Sequence, residues 1–152
     1  MIKFEINANK KIKSSDLIIK NYNKDFNLNL QKDIQILIDS FNKEYVWSGM
    51  FNIEDVKRRI ENNETIFILY YNQIPIGYVF FKHIDNDTCF GYNLYVVKNI
   101  KKPKYSAYWF YNKVTDYMLC RYEKIKVEVE DWNWVIIDII KNIGYYERRD
   151  DI

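Results

Sequence analysis

The sequence is short of the residues that build metal sites, disulfide frameworks and flexible linkers. Its 152 residues include two cysteines, one histidine, four glycines and two prolines. Cys89 and Cys120 lack the spacing of a metal or redox motif, and His83 cannot complete a zinc site with them. We therefore expect no metal cofactor. No Gly/Ser-rich stretch divides the chain into parts.

Long apolar runs are also missing. No segment approaches the 18 or so apolar residues that a membrane span needs, and the first residues contain no apolar core of a signal peptide. We expect a cytoplasmic protein with no membrane partner, in a compartment where both cysteines stay reduced. The net charge of +2 is too small to indicate a nucleic-acid partner by itself.

The composition is that of an ordinary globular protein, with 48% apolar and 29% charged residues. A chain of this length is expected to fold as one domain, here residues 1–152, with residues 1–16 as an N-terminal strand and loop extension. The 18% aromatic content stands out. Tyr, Asn, Ile and Lys have A/T-rich codons, so codon bias and function are both open explanations for the excess.

Apolar periodicity predicts strands and helices in turn. The patterns over Ile2–Ile6 and Leu17–Tyr22 are typical of strands that could pair with each other, separated by a loop over Asn7–Asp16. Helical spacing then runs from Leu30 to about Tyr45, followed by a break over Trp47–Met50. Asn52 and Asp55 have the spacing of a helix cap and predict a second helix to about Asn62.

The remainder predicts a strand meander and then alternating helix and strand. The predicted strands are Thr65–Tyr71, Ile76–Phe81, Thr88–Val97 and Ile125–Glu130, with connections at Asn72–Pro75 and Asp85–Asp87 and a last strand from Tyr145. A helix carries Trp109, Phe110, Val114 and Tyr117 on one side, and Trp134–Ile143 forms another that ends at Gly144. This order predicts an α/β (α+β) fold with a mixed, mostly antiparallel twisted sheet and helices on both faces.

The last third of the chain contains a residue spacing that also occurs in a known protein superfamily. Its spacing is Val129-(x)3-Asn133-(x)10-Gly144-Tyr145, and Leu94-x-Val96 stands upstream of it. In spacing and in element order the chain resembles the GNAT (GCN5-related N-acetyltransferase) superfamily over residues 17–147. The resemblance implies that Leu94 and Val96 lie on the strand before a pyrophosphate loop and that Asn133 lies near the pantetheine arm of coenzyme A.

The same resemblance implies a pyrophosphate loop between the strand and the next helix. Its expected members are Lys98, Lys101, Lys102, Lys104, Tyr105, Ser106 and Ala107. Lys104 and Ser106 stand where the family has glycine, and glycine or alanine, and Pro103 lacks a backbone donor. Lysine charge could compensate for a loop that glycines no longer shape, but four lysines are equally typical of a solvated turn.

A second departure concerns the general acid. Many GNAT enzymes have a tyrosine in the final helix, seven residues after the asparagine, that can protonate the leaving thiolate. Ile140 occupies that position here and cannot donate a proton. A general acid contributes typically about 10²–10⁴-fold, so its absence slows catalysis without abolishing it.

Other side chains are weaker candidates for the chemistry. Tyr92 is a catalytic candidate on the fourth strand of the GNAT pattern, and Glu128, Glu130 and Asp131 fit the solvent side and end of the next strand. A Cys89–His83 or Cys120–His83 nucleophile is less favoured than a buried structural cysteine. Trp132 and Trp134 flank Asn133 and fit a substrate pocket, core packing or a homodimer contact.

Three functions remain open from the sequence. The first is an acyl-CoA-dependent N-acyltransferase that moves an acetyl group from acetyl-CoA, its co-substrate, to a small-molecule or protein amine by direct attack in a ternary complex. The second is a catalytically impaired GNAT-fold module that binds a ligand or partner. The third is a single-strand RNA or phosphate binder using KNIKKPK with Tyr105, Tyr108 and Trp109, against which the low net charge argues.

Overall fold

A computed structural model describes residues 1–7, 17–46 and 51–148. Within those ranges the elements, in chain order, are β1 (Ile2–Asn7), β2 (Ile18–Tyr22), α1 (Leu28–Glu44), α2 (Ile53–Glu61), β3 (Thr65–Tyr71), β4 (Ile74–His83), β5 (Thr88–Val96), α3 (Ser106–Leu119), β6 (Lys124–Val129), α4 (Trp134–Ile143) and β7 (Tyr146–Glu147). Apart from Asn7, which ends β1, the predicted loop over Asn7–Asp16 lies outside the described residues, as does the break over Trp47–Met50.

Asparagine caps set the beginnings of the two N-terminal helices. The Asn27 side chain accepts a hydrogen bond from the Leu30 amide at 2.9 Å, so α1 begins two residues earlier than its apolar pattern. Asn52 and Asp55 form the reciprocal capping box that their spacing predicts for α2. Helix α4 matches its predicted bounds and ends at Gly144, whose φ of 122° suits glycine.

The connection between β3 and β4 is tighter than the sequence prediction. Asn72 and Gln73, with φ of 51° and 66°, are the two residues between the strands. Positive φ at both central positions is the geometry of a two-residue hairpin turn, which matches the twist of the flanking strands. The predicted four-residue connection is therefore wrong, and Ile74 and Pro75 lie within β4.

The seven strands are hydrogen-bonded in the order β2-β3-β4-β5-β6-β1-β7. The pairs β1–β6, β1–β7 and β2–β3 are antiparallel, whereas β5–β6 is parallel. This mixed, mostly antiparallel sheet with four helices confirms the predicted α/β (α+β) class. A pairing of β1 with β2 is wrong, since β1 lies between β6 and β7 and β2 pairs with β3.

Side-chain complementarity explains where β1 pairs. In its register with β6, Phe4 lies opposite Val127, and Ile6 lies opposite Ile125; all four are buried. The alternate positions place Lys3 opposite Glu128 and Glu5 opposite Lys126, which are favourable cross-strand charge pairs. One face therefore joins the core while the other pairs opposite charges, and a one-residue slip would lose both.

The chain forms two compact units. The first unit contains residues 1–15, 81–92 and 105–152, and the second contains residues 16–80 and 93–104. Strands β4 and β5 each contribute residues to both. The expectation of a single domain stays a prediction.

Helix α3, in the first unit, buries a different face from the predicted one. Its buried side chains include Phe110, Tyr111, Val114 and Met118, whereas Tyr117 is exposed. The Arg121 guanidinium lies over the Tyr117 ring, 4.9 Å from its centroid, so this tyrosine has a surface partner. The prediction that Tyr117 lies on the same side as Phe110 and Val114 is wrong, because its hydroxyl accepts a hydrogen bond from Arg121 at the surface.

Candidate functional site

The residues that the sequence nominates for coenzyme binding fall in both units. The second unit contains Leu94, Val96, Lys98, Lys101, Lys102 and Lys104, and the first contains Tyr105, Ser106, Ala107 and Asn133, together with the catalytic candidate Tyr92. Leu94 and Val96 are half-buried on β5.

The pairing and the backbone geometry of strand β5 change near its middle. In the first unit it pairs in parallel with β6 from Thr88–Lys124 to Gly91–Val127, and β5 itself continues to Val96. In the second unit Asn93 has a φ of 56°, a left-handed conformation that interrupts regular strand geometry. The Arg59 side chain donates to Asn93 Oδ1 at 3.0 Å and fixes this irregular position.

Tyr92 lies on the first-unit part of β5. Its ring stacks against Phe90 with 5.9 Å between centroids, and the Lys82 ammonium lies over both rings. These contacts give Tyr92 a packing role on the strand. A catalytic role for it stays a prediction.

Two of the four loop lysines already have protein partners. Lys102 Nζ donates to the Lys98 carbonyl oxygen at 3.0 Å, and Lys98 Nζ lies 4.9 Å from the centroid of the Tyr45 ring. Lys101 and Lys104 are exposed. The loop is therefore stabilised by the bond between Lys102 and Lys98, and its other two lysines face solvent.

The N-terminus of α3 has an unusual backbone. Tyr105, its N-cap, adopts the left-handed conformation with φ of 61° and ψ of 26°, and its side chain makes no capping bond. The first intrahelical bond runs from the Trp109 amide to the Tyr105 carbonyl, so the amides of Ala107 and Tyr108 precede the first bond of the helix ladder. Left-handed backbone before a helix N-terminus is the geometry of an anion-binding nest.

Asn133 precedes α4 as its N-cap, but its side chain makes no capping hydrogen bond. This differs from Asn27 and Asn52, whose side chains both accept a bond from their own helix. The backbone of Asn133 explains the difference, since its ψ of 60° departs from the extended conformation of a normal cap. The carboxamide is half-buried and is not used to stabilise the helix.

The last helix offers no acid at the expected position. Ile140 is 1% exposed and packs in the core of the first unit. Tyr145, after the Gly144 cap, is also buried, and its hydroxyl lies 2.9 Å from Thr115 Oγ1. Burial raises the pKa of Tyr145, so its hydroxyl stays protonated at neutral pH.

The second unit contains a carboxylate–phenol pair that the sequence did not predict. The Tyr95 hydroxyl donates to Glu44 Oε2 at 2.6 Å, from β5 to the last residue of α1. Burial, and then the bond to Glu44, raise the pKa of Tyr95 and keep the phenol protonated. Tyr95 is the unspecified residue of Leu94-x-Val96, and its partner is 51 positions away, so no local pattern marks the pair.

Aromatic rings surround this pair. The Tyr95 ring packs against Phe41, Tyr45 and Tyr78, with centroid separations of 5.3, 6.2 and 5.4 Å. Phe51 and Phe80 extend the group, and the Arg59 guanidinium lies 4.4 Å from the Phe80 centroid. We call these six rings the aromatic cluster: Phe41, Tyr45, Phe51, Tyr78, Phe80 and Tyr95.

The remaining sequence candidates are placed as follows. Glu128 and Glu130 are exposed, as their solvent-side interpretation predicts, and Asp131 is exposed in the turn after β6. Cys89 is buried, and burial raises the pKa of its thiol to about 12, whereas Cys120 is exposed. His83 Nδ1 lies 3.1 Å from the Tyr122 hydroxyl.

Trp132 and Trp134 are 62% and 72% exposed. Core packing of these two side chains is therefore wrong. The substrate pocket and the homodimer contact stay predictions for them.

Two classes of site are missing from the part of the chain that the structure describes. No group of three or more His, Cys, Asp or Glu side chains is arranged to hold a metal ion there. None of the helices in the same ranges has the length and apolar character needed to cross a membrane.

The chain is similar to solved acetyltransferases. The catalytic domain of the Tetrahymena GCN5 histone acetyltransferase, in complex with coenzyme A, matches with a TM-score of 0.65 and 15% identity over 92% of this chain and 82% of that chain. An aminoglycoside acetyltransferase from an uncultured soil metagenomic sample, in complex with sisomicin, matches with a TM-score of 0.65 and 13% identity over 90% and 92%.

A functionally unknown conserved protein from Staphylococcus epidermidis has a TM-score of 0.62 and 14% identity to this chain. The match covers 97% of this chain but 57% of that protein, so the chain spans little more than half of its length. No protein-family profile matches the sequence, and no curated protein does either. At these identities the structural likeness establishes the fold, and the GNAT fold predicted from the sequence is confirmed.

Proposed function

We propose that the protein is an acyl-CoA-dependent N-acyltransferase that transfers an acetyl group from acetyl-CoA to a primary amine by direct attack in a ternary complex. The observation that carries the proposal is the uncapped, left-handed N-terminus of α3, directly after the lysine loop, in a chain with the GNAT fold. Coenzyme A has a pyrophosphate group, and an anion is the ligand that such a backbone suits.

The residues present fit the phosphate end of the co-substrate. The amides of Ala107 and Tyr108 are not used by the helix ladder, and the helix dipole favours negative charge at this end. Lys101 and Lys104, in the second unit, are exposed, and contact of their ammonium groups with the phosphates stays a prediction. This fit needs no glycine, because Tyr105 itself adopts the left-handed conformation.

Asn133 is our candidate for the pantetheine arm. Asparagine provides one acceptor oxygen and two donor hydrogens, which suits the amides of pantetheine. Since its side chain makes no bond to its own helix, binding would cost no existing cap. A contact of Leu94 and Val96, in the second unit, with coenzyme A stays a prediction.

The reaction requires few groups from the protein. The amine nitrogen attacks the thioester carbonyl carbon, the carbon–sulfur bond breaks, and coenzyme A leaves as a thiolate that takes up a proton while the amide nitrogen loses one. Ile140 cannot supply that proton. An alkyl thiol ionises near pH 8.5, so release as a thiolate is a moderate barrier, and the enzyme is expected to be slow rather than inactive.

A second function has a specific observation in its favour. Ile140 is buried and aliphatic where many GNAT enzymes have an acid, which fits a module that binds coenzyme A or a partner without acyl transfer. Such a module would keep the phosphate-binding backbone. Binding and turnover therefore have to be measured separately.

Thermal unfolding with millimolar acetyl-CoA tests the binding step. A genuine ligand at about 100 times its Kd stabilises by about 2.7 kcal/mol, which raises Tm by several degrees in a protein of this size. No shift with acetyl-CoA or with free coenzyme A would refute both functions.

Release of free thiol in the presence of a panel of small amines and amine-bearing peptides tests the transfer step. Amine-dependent release supports the enzyme, and stabilisation without release supports the binding module. A cytoplasmic location and the amine class of the acceptor are parts of the same proposal.

A further inference from the structure

The Glu44 carboxylate is only partly hydrogen-bonded by the residues that the structure describes. One oxygen accepts the Tyr95 hydroxyl, but the other, Oε1, is buried and has no hydrogen-bond partner among the described residues. No ion pair joins Glu44 to a lysine or arginine in those ranges. A buried charged oxygen without a partner is costly, and such an atom in a native site calls for a ligand or an ordered water.

The position of Glu44 at the end of a helix adds to this cost. It is the last residue of α1, where the helix dipole is negative and favours cations over carboxylates. A negative side chain there is repelled by the carbonyl groups of the last turn. A bound cation would relieve that repulsion and would also complete the coordination of Oε1.

The aromatic cluster around the pair suits the same kind of ligand. Ring faces attract cations, and this cluster already has two at its margin: Lys98 over Tyr45 and Arg59 over Phe51 and Phe80. Tyr95 remains a hydrogen-bond donor to Oε2 and holds the carboxylate in one orientation. A carboxylate oriented in this way among aromatic rings selects an ammonium group over a neutral or anionic head.

We infer that Glu44, oriented by Tyr95 within the aromatic cluster, is a subsite for an ammonium group that the acceptor carries in addition to the neutral amine that is acetylated. This inference rests on the proposed acetyltransferase function and names its class of acceptor. Glu44 would bind the acceptor, and Tyr95 would be a positioning residue.

The test compares two probes that differ in the charged group, n-pentylammonium and 1-pentanol, by NMR titration of the ¹⁵N-labelled protein. We expect the ammonium to bind about tenfold or more tightly, as befits one charge-assisted hydrogen bond, with the largest shift changes at the amides of Glu44, Tyr45 and Tyr95. Equal affinities, or shift changes that avoid these amides, would overturn the inference without the use of any variant.

Three variants test whether the Glu44 carboxylate is the group that binds the ammonium. Glu44→Gln keeps an acceptor for the Tyr95 hydroxyl but removes the charge, so the preference for the ammonium should fall to within about threefold of equality. Glu61→Gln is the matched control, because Glu61 is also the last residue of a helix but is exposed, and the preference should persist. In Tyr95→Phe the charge remains but the bond that orients the carboxylate is lost, so the preference should weaken and still exceed that of Glu44→Gln. A preference that survives Glu44→Gln would contradict the inference.

Acetyl-CoA is titrated into the same samples to separate the two proposals. If acetyl-CoA binds but the ammonium preference is missing, the subsite is wrong and the acetyltransferase proposal stands. If the preference is present but acetyl-CoA does not bind, the acetyltransferase proposal is wrong and the cation site stands on its own.

Discussion

Two asparagines in equivalent positions allow a direct test of the coenzyme site. Asn52 and Asn133 are both N-caps, but the Asn52 side chain bonds its helix and the Asn133 side chain does not. We expect Asn52→Ala to cost about 1 kcal/mol of stability, the usual value for a working cap, and to lower Tm by about 2–4 °C. Asn133→Ala should cost less than about 0.5 kcal/mol, since no cap bond is lost.

For coenzyme A binding, Asn133→Ala should have the larger effect and Asn52→Ala the smaller one. A hydrogen bond between neutral groups contributes about 0.5–1.5 kcal/mol, so Asn133→Ala should weaken coenzyme A binding by about two- to twelvefold. Asn52→Ala should leave the Kd unchanged. Differential scanning calorimetry gives the first pair of values, and isothermal titration of coenzyme A gives the second.

The outcome that would refute this reasoning is specific. If Asn133→Ala loses as much stability as Asn52→Ala and binds coenzyme A like the unmodified protein, then Asn133 has a structural role alone. The proposed pantetheine contact would then have to be abandoned. The GNAT fold would be unaffected, because the structural likeness supports it independently.

Two further predictions concern the core of the first unit. Gly91→Ala should lower the free energy of unfolding by about 1–3 kcal/mol, because the new methyl group would lie 2.7 Å from Phe81 Cε1 and 2.9 Å from the Tyr111 hydroxyl oxygen; an unchanged urea midpoint would contradict this. The pKa of Cys89 is raised from 9.0 to about 12 by burial, so below pH 9 its thiol is protonated in both states, and above it only the unfolded chain loses the proton. Stability should therefore fall as pH rises from about 9 toward 12, and urea unfolding between about pH 8 and 10.5 should show a shallower decline for Cys89→Ala than for the unmodified protein.

Local patterns predicted local structure well. The capping box at Asn52, the alternation of β6 and the bounds of α4 all depend on neighbouring residues, and all are confirmed. The sequence predicts a hairpin between β3 and β4 but not its two-residue turn, because glutamine at a positive φ is uncommon and the turn has no glycine signal. The partner of β1 was missed because pairing across the length of the chain leaves no local trace.

The candidate site depends even more on residues that are distant in the chain, so local patterns predict less of it. Spacing along the chain predicts Asn133 and the lysine loop, and their role in coenzyme binding stays a prediction. Glu44 and Tyr95 meet only after α1 and β5 fold together in the second unit, and neither stands out among the acidic residues and tyrosines of the sequence. The left-handed backbone of Tyr105 was likewise unpredictable, since that conformation costs a tyrosine roughly 1–2 kcal/mol.

The place of β1 between β6 and β7 has a consequence for biosynthesis. Phe4 pairs with Val127, which is synthesised roughly 120 residues later. At about 5–20 residues per second, that interval is about 6–25 s of translation. Until then the apolar face of β1 is unpaired, because β6 and β7 have not yet been synthesised. Pairing so distant in the chain is slow to form, so closure of the sheet by β1 is expected to be a late step and the one most in need of a chaperone.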